Sequence, residues 1–145
     1  MATVNDNTLP AAKWIVHGAV LSAGSAKSTG TSNTQSAPLA GVERYSSATV
    51  QLNITALAGT SVNVWIQKLL PDNSTWMDII SFTQQTGTGD TVMEIVAAGN
   101  AEHTPADGGL AAGTVLTANL GQKWAVSWSA TGGTATFGVF ADFFE

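Results

Sequence analysis

The chain has 145 residues, enough for one domain whose core folds without staples, and it contains no cysteine, which excludes disulfides and cysteine-ligated metals. Only 10% of the residues are charged, against about 25% in ordinary soluble domains, and the net charge is −5. The five basic residues (Lys13, Lys27, Arg44, Lys68, Lys123) are scattered, which argues against a nucleic-acid partner, and no apolar run approaches the ~18 residues of a membrane span. With five tryptophans and a positive mean hydropathy, such a chain either dresses its surface in Ser, Thr, Asn and Gln or hides part of it against other subunits. The second is expected.

Residues 1–12 read as an N-terminal arm. The first eight are polar and aperiodic, Leu9-Pro10 forces extended backbone, and no basic start followed by an apolar stretch suggests a secretory signal. Thr3, Val4, Leu9 and Pro10 are the expected anchors of an arm that orders on a partner, by adding to a sheet edge or lying in a groove. Residues 13–145 are expected to form a single β domain. Its first strand, residues 13–22, has apolar side chains on both faces, the pattern of a strand covered on both sides. Residues 23–37, AGSAKSTGTSNTQSA, are small and polar and read as a flexible loop, after which Val42 and Tyr45 mark the return to structure.

The cleanest strand is residues 48–57. Ala48, Val50, Leu52, Ile54 and Ala56 face one way, and Thr49, Gln51, Asn53 and Thr55 the other, as in a sheet with one wet face. Residues 55–90 then read as consecutive strands in an antiparallel meander. Val62, Val64 and Ile66 alternate with Asn63, Trp65 and Gln67, the 71–74 segment Pro-Asp-Asn-Ser supplies a turn, and the partner strand places Trp76, Asp78, Ile80 and Phe82 on one face. A further strand is expected over residues 91–97 and a loop over 99–113. The helical candidate is 110–120, opposed by Gly113 and by the Thr and Val content. A closing hairpin is expected: Trp124, Val126 and Trp128 share one face, Gly132-Gly133 turns, and residues 135–144 return. The fold class that follows is all-β, an antiparallel β-sandwich or jelly-roll-like barrel with an extended N-terminal arm.

No catalytic, cofactor or metal site is expected. His17 lies among apolar neighbours, and His103, Glu102 and Asp107 match no familiar ligand spacing. There is no Gly-x-Ser-x-Gly elbow, and Gly87-Thr88-Gly89 lacks the helix and lysine of a phosphate loop. Asp78 with Asp90 or Glu94 would be an imaginable glycosidase pair, but turn capping by Asp72 and Asp90 and a solvated Glu94 are the simpler roles. Indole faces stack on sugar rings, and Trp65 on the polar side of its strand is the candidate for that; a subunit interface would use it equally well and is preferred. The expected oligomer interface is Trp65, Trp124, Trp128, Phe140, Phe143 and Phe144.

Two blocks, LNITALAGTSVNVWIQKLLPDNSTWMDIISFTQ (52–84) and WAVSWSATGGTATFGVF (124–140), resemble small virion structural proteins of tailed bacteriophages, most of all head decoration, or auxiliary capsid, proteins. The shared features are a turn before Thr-Trp-x-Asp-Ile and a late Trp-containing strand joined through Gly-Gly-Thr. The resemblance implies a non-enzymatic protein on the capsid exterior. It would be a homotrimer that binds the major capsid protein and reinforces junctions between its subunits. Alternatives are a phage tail or fibre component, or a carbohydrate-binding β-sandwich module.

Overall fold

Strands form wherever the alternating pattern is uninterrupted. In the computed structural model, which describes residues 16–26, 34–97, 102–116 and 118–144, they are β1 (Val16–Ala26), β2 (Thr34–Gln35), β3 (Leu39–Ala40), β4 (Ser47–Leu57), β5 (Ser61–Leu69), β6 (Trp76–Ser81), β7 (Gly89–Val96), β8 (Thr114–Val115), β9 (Lys123–Thr131) and β10 (Ala135–Phe144). The expected arm, with Thr3, Val4, Leu9 and Pro10, lies outside the described residues. All pairings are antiparallel and make two sheets. Sheet A has the order β1-β10-β4-β7, and sheet B the order β2-β9-β5-β6-β8, with β3 also on β9. The all-β sandwich is therefore the fold.

The core lies between the sheets. Val50, Leu52 and Ile54 of β4 and Phe137, Val139 and Phe143 of β10 meet Val62, Val64 and Ile66 of β5 and Trp124 and Val126 of β9. Trp124 and Phe143 pack with ring centroids 5.0 Å apart, and Tyr45, half-buried beside the 3-10 turn Val42–Arg44, adds a ring at 5.4 Å from Phe143. The buried indole needs a partner, and Trp124 Nε1 donates to Leu120 O at 2.7 Å. Each such ring contributes ~1.5–3 kcal/mol through burial alone.

Sheet B is partly covered on its other face as well. Gly113 N donates to Ser81 O and Leu116 N to Ile79 O, so β8 extends the sheet at the β6 edge, and the preceding loop reaches over the outer face where Gly109 N and Leu110 N donate to Asp78 Oδ2. Gln67 and Asp78 are buried beneath this loop, and Ser81, Ser127 and Ser129, also on nominally polar positions, are buried too.

Several expectations change. The loop expected over 23–37 is partly strand: β1 runs on to Ala26 along β10, and β2 pairs with β9. Among its described residues the helical candidate at 110–120 holds no helix, and its Thr114–Val115 is β8, as β-branched residues prefer. The meander is broken, since only β5 and β6 form a hairpin while β7 crosses to pair with β4. The closing hairpin is likewise absent. β9 pairs with β5 and β10 with β4, so Gly132-Gly133 carries the chain from one sheet to the other. Finally, a bulge in β6 opposes Ile80 to Ile66 but Asp78 to Gln67. That extra residue puts Asp78 and Ile80 on opposite faces, where strict alternation had put them together.

Candidate functional site

Two polar constellations emerge from this framework. The first is buried. Asp78, fully inaccessible on the outer face of sheet B, accepts hydrogen bonds from Gln67 Nε2 at 2.8 Å, Gly109 N at 3.0 Å and Leu110 N at 3.1 Å. Gln67 Nε2 also lies 2.6 Å from Asp107 Oδ1, its Oε1 accepts from Gln35 Nε2 at 2.8 Å, and Asp78 N donates to Ala106 O. Every polar atom here fastens the 106–110 loop and β2 to the sheet. A carboxylate so fully satisfied by amides is a clamp, with no lone pair directed at an opening.

The second constellation is the outer face of sheet A, and it is open. Register across β10, β4 and β7 aligns four rows: Phe144, Ser47 and Val96; Asp142, Thr49 and Glu94; Phe140, Gln51 and Val92; Gly138, Asn53 and Asp90. Paired residues in an antiparallel sheet share a face, so apolar and acidic rows alternate across this surface. Val92 and Val96 are 56% and 62% exposed, the large apolar side chains most open to solvent among the described residues. Gln51 Nε2 donates to Asp90 Oδ1 at 3.2 Å, tying β4 to β7. A groove of about 500 Å³ runs over the middle rows, lined by Thr49, Gln51, Asn53, Val92, Phe140 and Asp142.

The residues expected to form one oligomer interface are dispersed. Trp124 and Phe143 are core residues at 0% and 1% exposure, and Trp65, although it does project from the polar side of β5, is only 8% exposed. Trp128 is half-buried and meets Phe137 edge-on with centroids 5.4 Å apart. Phe140 and Phe144 are half-buried on the outer face of sheet A. The separation follows from the crossing at Gly132-Gly133, which sends the aromatic positions of β9 and the odd-numbered ones of β10 into a shared core. Burial also removes Trp65 as a platform for sugar. The same topology places Asp78 on one outer face and Asp90 and Glu94 on the other, with the core between them, so no paired carboxylates result.

Turn capping by Asp72 is present in full. Its Oδ1 accepts from Ser74 N and Thr75 N at 3.0 and 2.9 Å and its Oδ2 from Thr75 Oγ1 at 2.5 Å; the Thr75 hydroxyl foremost, then the amides, pull its pKa down to about 2. Lys68 is 7% exposed, donates to Asn119 O and Oδ1 at 3.0 and 3.1 Å, and has its pKa lowered by burial. Among the described residues no group of three or more His, Cys, Asp or Glu is placed to hold a metal. No protein-family model, curated protein or solved structure matches the chain. The rows on sheet A were half legible beforehand: Thr49, Gln51 and Asn53 announced a wet face, but pairing with β7 and β10 was needed to show what flanks it.

Proposed function

We propose that this chain is a non-enzymatic structural protein of a phage virion, a decoration protein on the capsid exterior that reinforces junctions between major capsid subunits as a homotrimer. The observation that carries a structural reading is where the carboxylates go. Asp78 clamps a loop, Asp72 closes a turn, and Asp90, Glu94 and Asp142 are spaced in register over an exposed sheet face. The resemblance of residues 52–84 and 124–140 to head decoration proteins supports the location. The arm, with Thr3, Val4, Leu9 and Pro10, is the proposed contact with the major capsid protein; eleven extended residues reach at most about 40 Å, enough to cross onto a neighbouring subunit. The trimer contact is proposed at the apolar end row of sheet A, Val96 and Phe144.

Binding of the purified protein to expanded capsids, followed by cryo-electron microscopy, tests the reading. The expected result is density on the head exterior at junctions between capsid subunits, much weakened when residues 2–11 are deleted. Density confined to the tail, or unbound capsids at saturating protein, overturns it.

A further inference from the structure

The groove on sheet A has a floor suited to one class of ligand. Gly138 precedes Phe140 by two positions on the same face of β10, and a Cβ placed on Gly138 would lie 2.8 Å from both Cε2 and Cζ of Phe140. The ring therefore lies down along the strand over the glycine. From this position Phe140 lines the groove. A side chain at position 138 would lift it.

What surrounds the ring is equally particular. Its own row continues through Gln51 to Val92, and the rows on either side bring the carboxylates of Asp142 and Asp90, the hydroxyl of Thr49 and the amide of Asn53. An aromatic face carries negative charge density and attracts polarised C–H groups, while amides and carboxylates accept from or donate to hydroxyls in pairs. The described basic residues lie elsewhere: Lys68 and Lys123 are on sheet B and Arg44 is in the 3-10 turn. A flat, C–H-bearing ring edged with hydroxyls and free of negative charge meets each of these conditions. We infer that the groove over Phe140, Gln51 and Asn53 binds a neutral oligosaccharide, one sugar ring stacking on Phe140 and its hydroxyls bonding to Gln51, Asn53 and Asp142. A groove of about 500 Å³ accommodates one or two rings.

The site does not depend on the decoration reading. A head protein, a tail protein or a free module would each carry it, so the capsid experiment and the glycan experiment fail separately. An array of neutral oligosaccharides with gluco, manno and galacto units is probed with the full chain, alongside sialylated and sulfated members, and the best neutral trisaccharide is then titrated by NMR. Neutral members are expected to bind, with amide shifts centred on β4 and β10. Phe140→Ala is expected to weaken binding at least about tenfold. Gly138→Ala, which keeps the phenyl group but displaces it, should weaken binding severalfold with the melting temperature preserved, and Gln51→Ala provides a variant with no change to the ring. Failure of every neutral member at millimolar concentration, binding of the acidic members alone, or wild-type affinity in both Phe140→Ala and Gln51→Ala overturns the inference.

Discussion

A carboxylate at zero exposure must be met by donors, and Asp78 is met by two main-chain amides and a side-chain amide. Removing it takes a partner from Gln67 Nε2, which keeps Asp107, and from the amides of exposed Gly109 and half-buried Leu110, so Asp78→Ala is expected to lose about 1–3 kcal/mol in urea unfolding. Loss of under about 0.5 kcal/mol, the range of an ordinary surface substitution, would show that water replaces the clamp without strain. The exposed Asp72 makes a pH-dependent contribution. Its pKa is held at about 2 in the folded turn, against ~3.9 in an unfolded chain, so its stabilisation is complete above the higher value and is lost as pH falls through the lower. The stability difference between wild type and Asp72→Ala is expected to shrink between about pH 4 and pH 2, and the carboxyl NMR midpoint to rise in Thr75→Val because Thr75 is the largest cause of the depression. The role of Asp72 was legible because its partners lie within three residues. That of Asp78 was hidden, since its donors come from residues 109 and 110 and its orientation from a bulge that alternation alone does not reveal.

Between elements, the decisive features are two of the places where consecutive strands change sheets, β4–β5 and β9–β10. The β4–β5 and β9–β10 connections pack on each other, with Ala58 N donating to Thr134 O and Thr60 N to Thr131 O. A Cβ on Gly59 would lie 2.6 Å from Thr131 O and 2.8 Å from Gly133 N, both main-chain atoms that cannot step aside. Gly59→Ala is expected to destabilise by about 2 kcal/mol or more, whereas Gly87→Ala, with nothing within 4 Å, should be neutral or stabilise by a few tenths of a kcal/mol to about 1. Denaturant midpoints for the pair decide this, and equal midpoints would contradict the packing. These connections also explain the misread hairpin. Gly-Gly between alternating runs signals a sharp reversal, but the same left-handed backbone at Gly132, φ 75°, serves a turn within one sheet or a crossing between two. What distinguishes them is contact with Gly59, over seventy residues earlier in the chain and invisible to local pattern. Strand identity and the core faces of β4, β5 and β9 were legible because their alternation is long and regular; sheet membership was not.

For the molecule as a whole, the contrast is between the two outer faces. Sheet B is partly covered where the 106–110 loop is clamped over Gln67 and Asp78, while sheet A presents alternating apolar and acidic rows to its surroundings. Low charge and aromatic content had suggested that surface was hidden by subunits, yet much of the aromatic content is buried within one chain: Trp124 and Phe143 in the core and Trp65 on the outer side of β5. The remaining case for association rests on the end row of sheet A, where Val96 is 62% exposed and pairs through Ser47 with Phe144. If that row is the trimer contact, a charge placed there is tolerated by the monomer and rejected by the assembly, because an unpaired carboxylate in a buried interface costs several kcal/mol. Wild-type protein is expected to scatter light as three times the 14.8 kDa chain at tens of micromolar, and Val96→Asp as a single chain with an unchanged melting temperature. A wild-type monomer at every concentration would remove the trimer, and a Val96→Asp trimer would move its contact off this row.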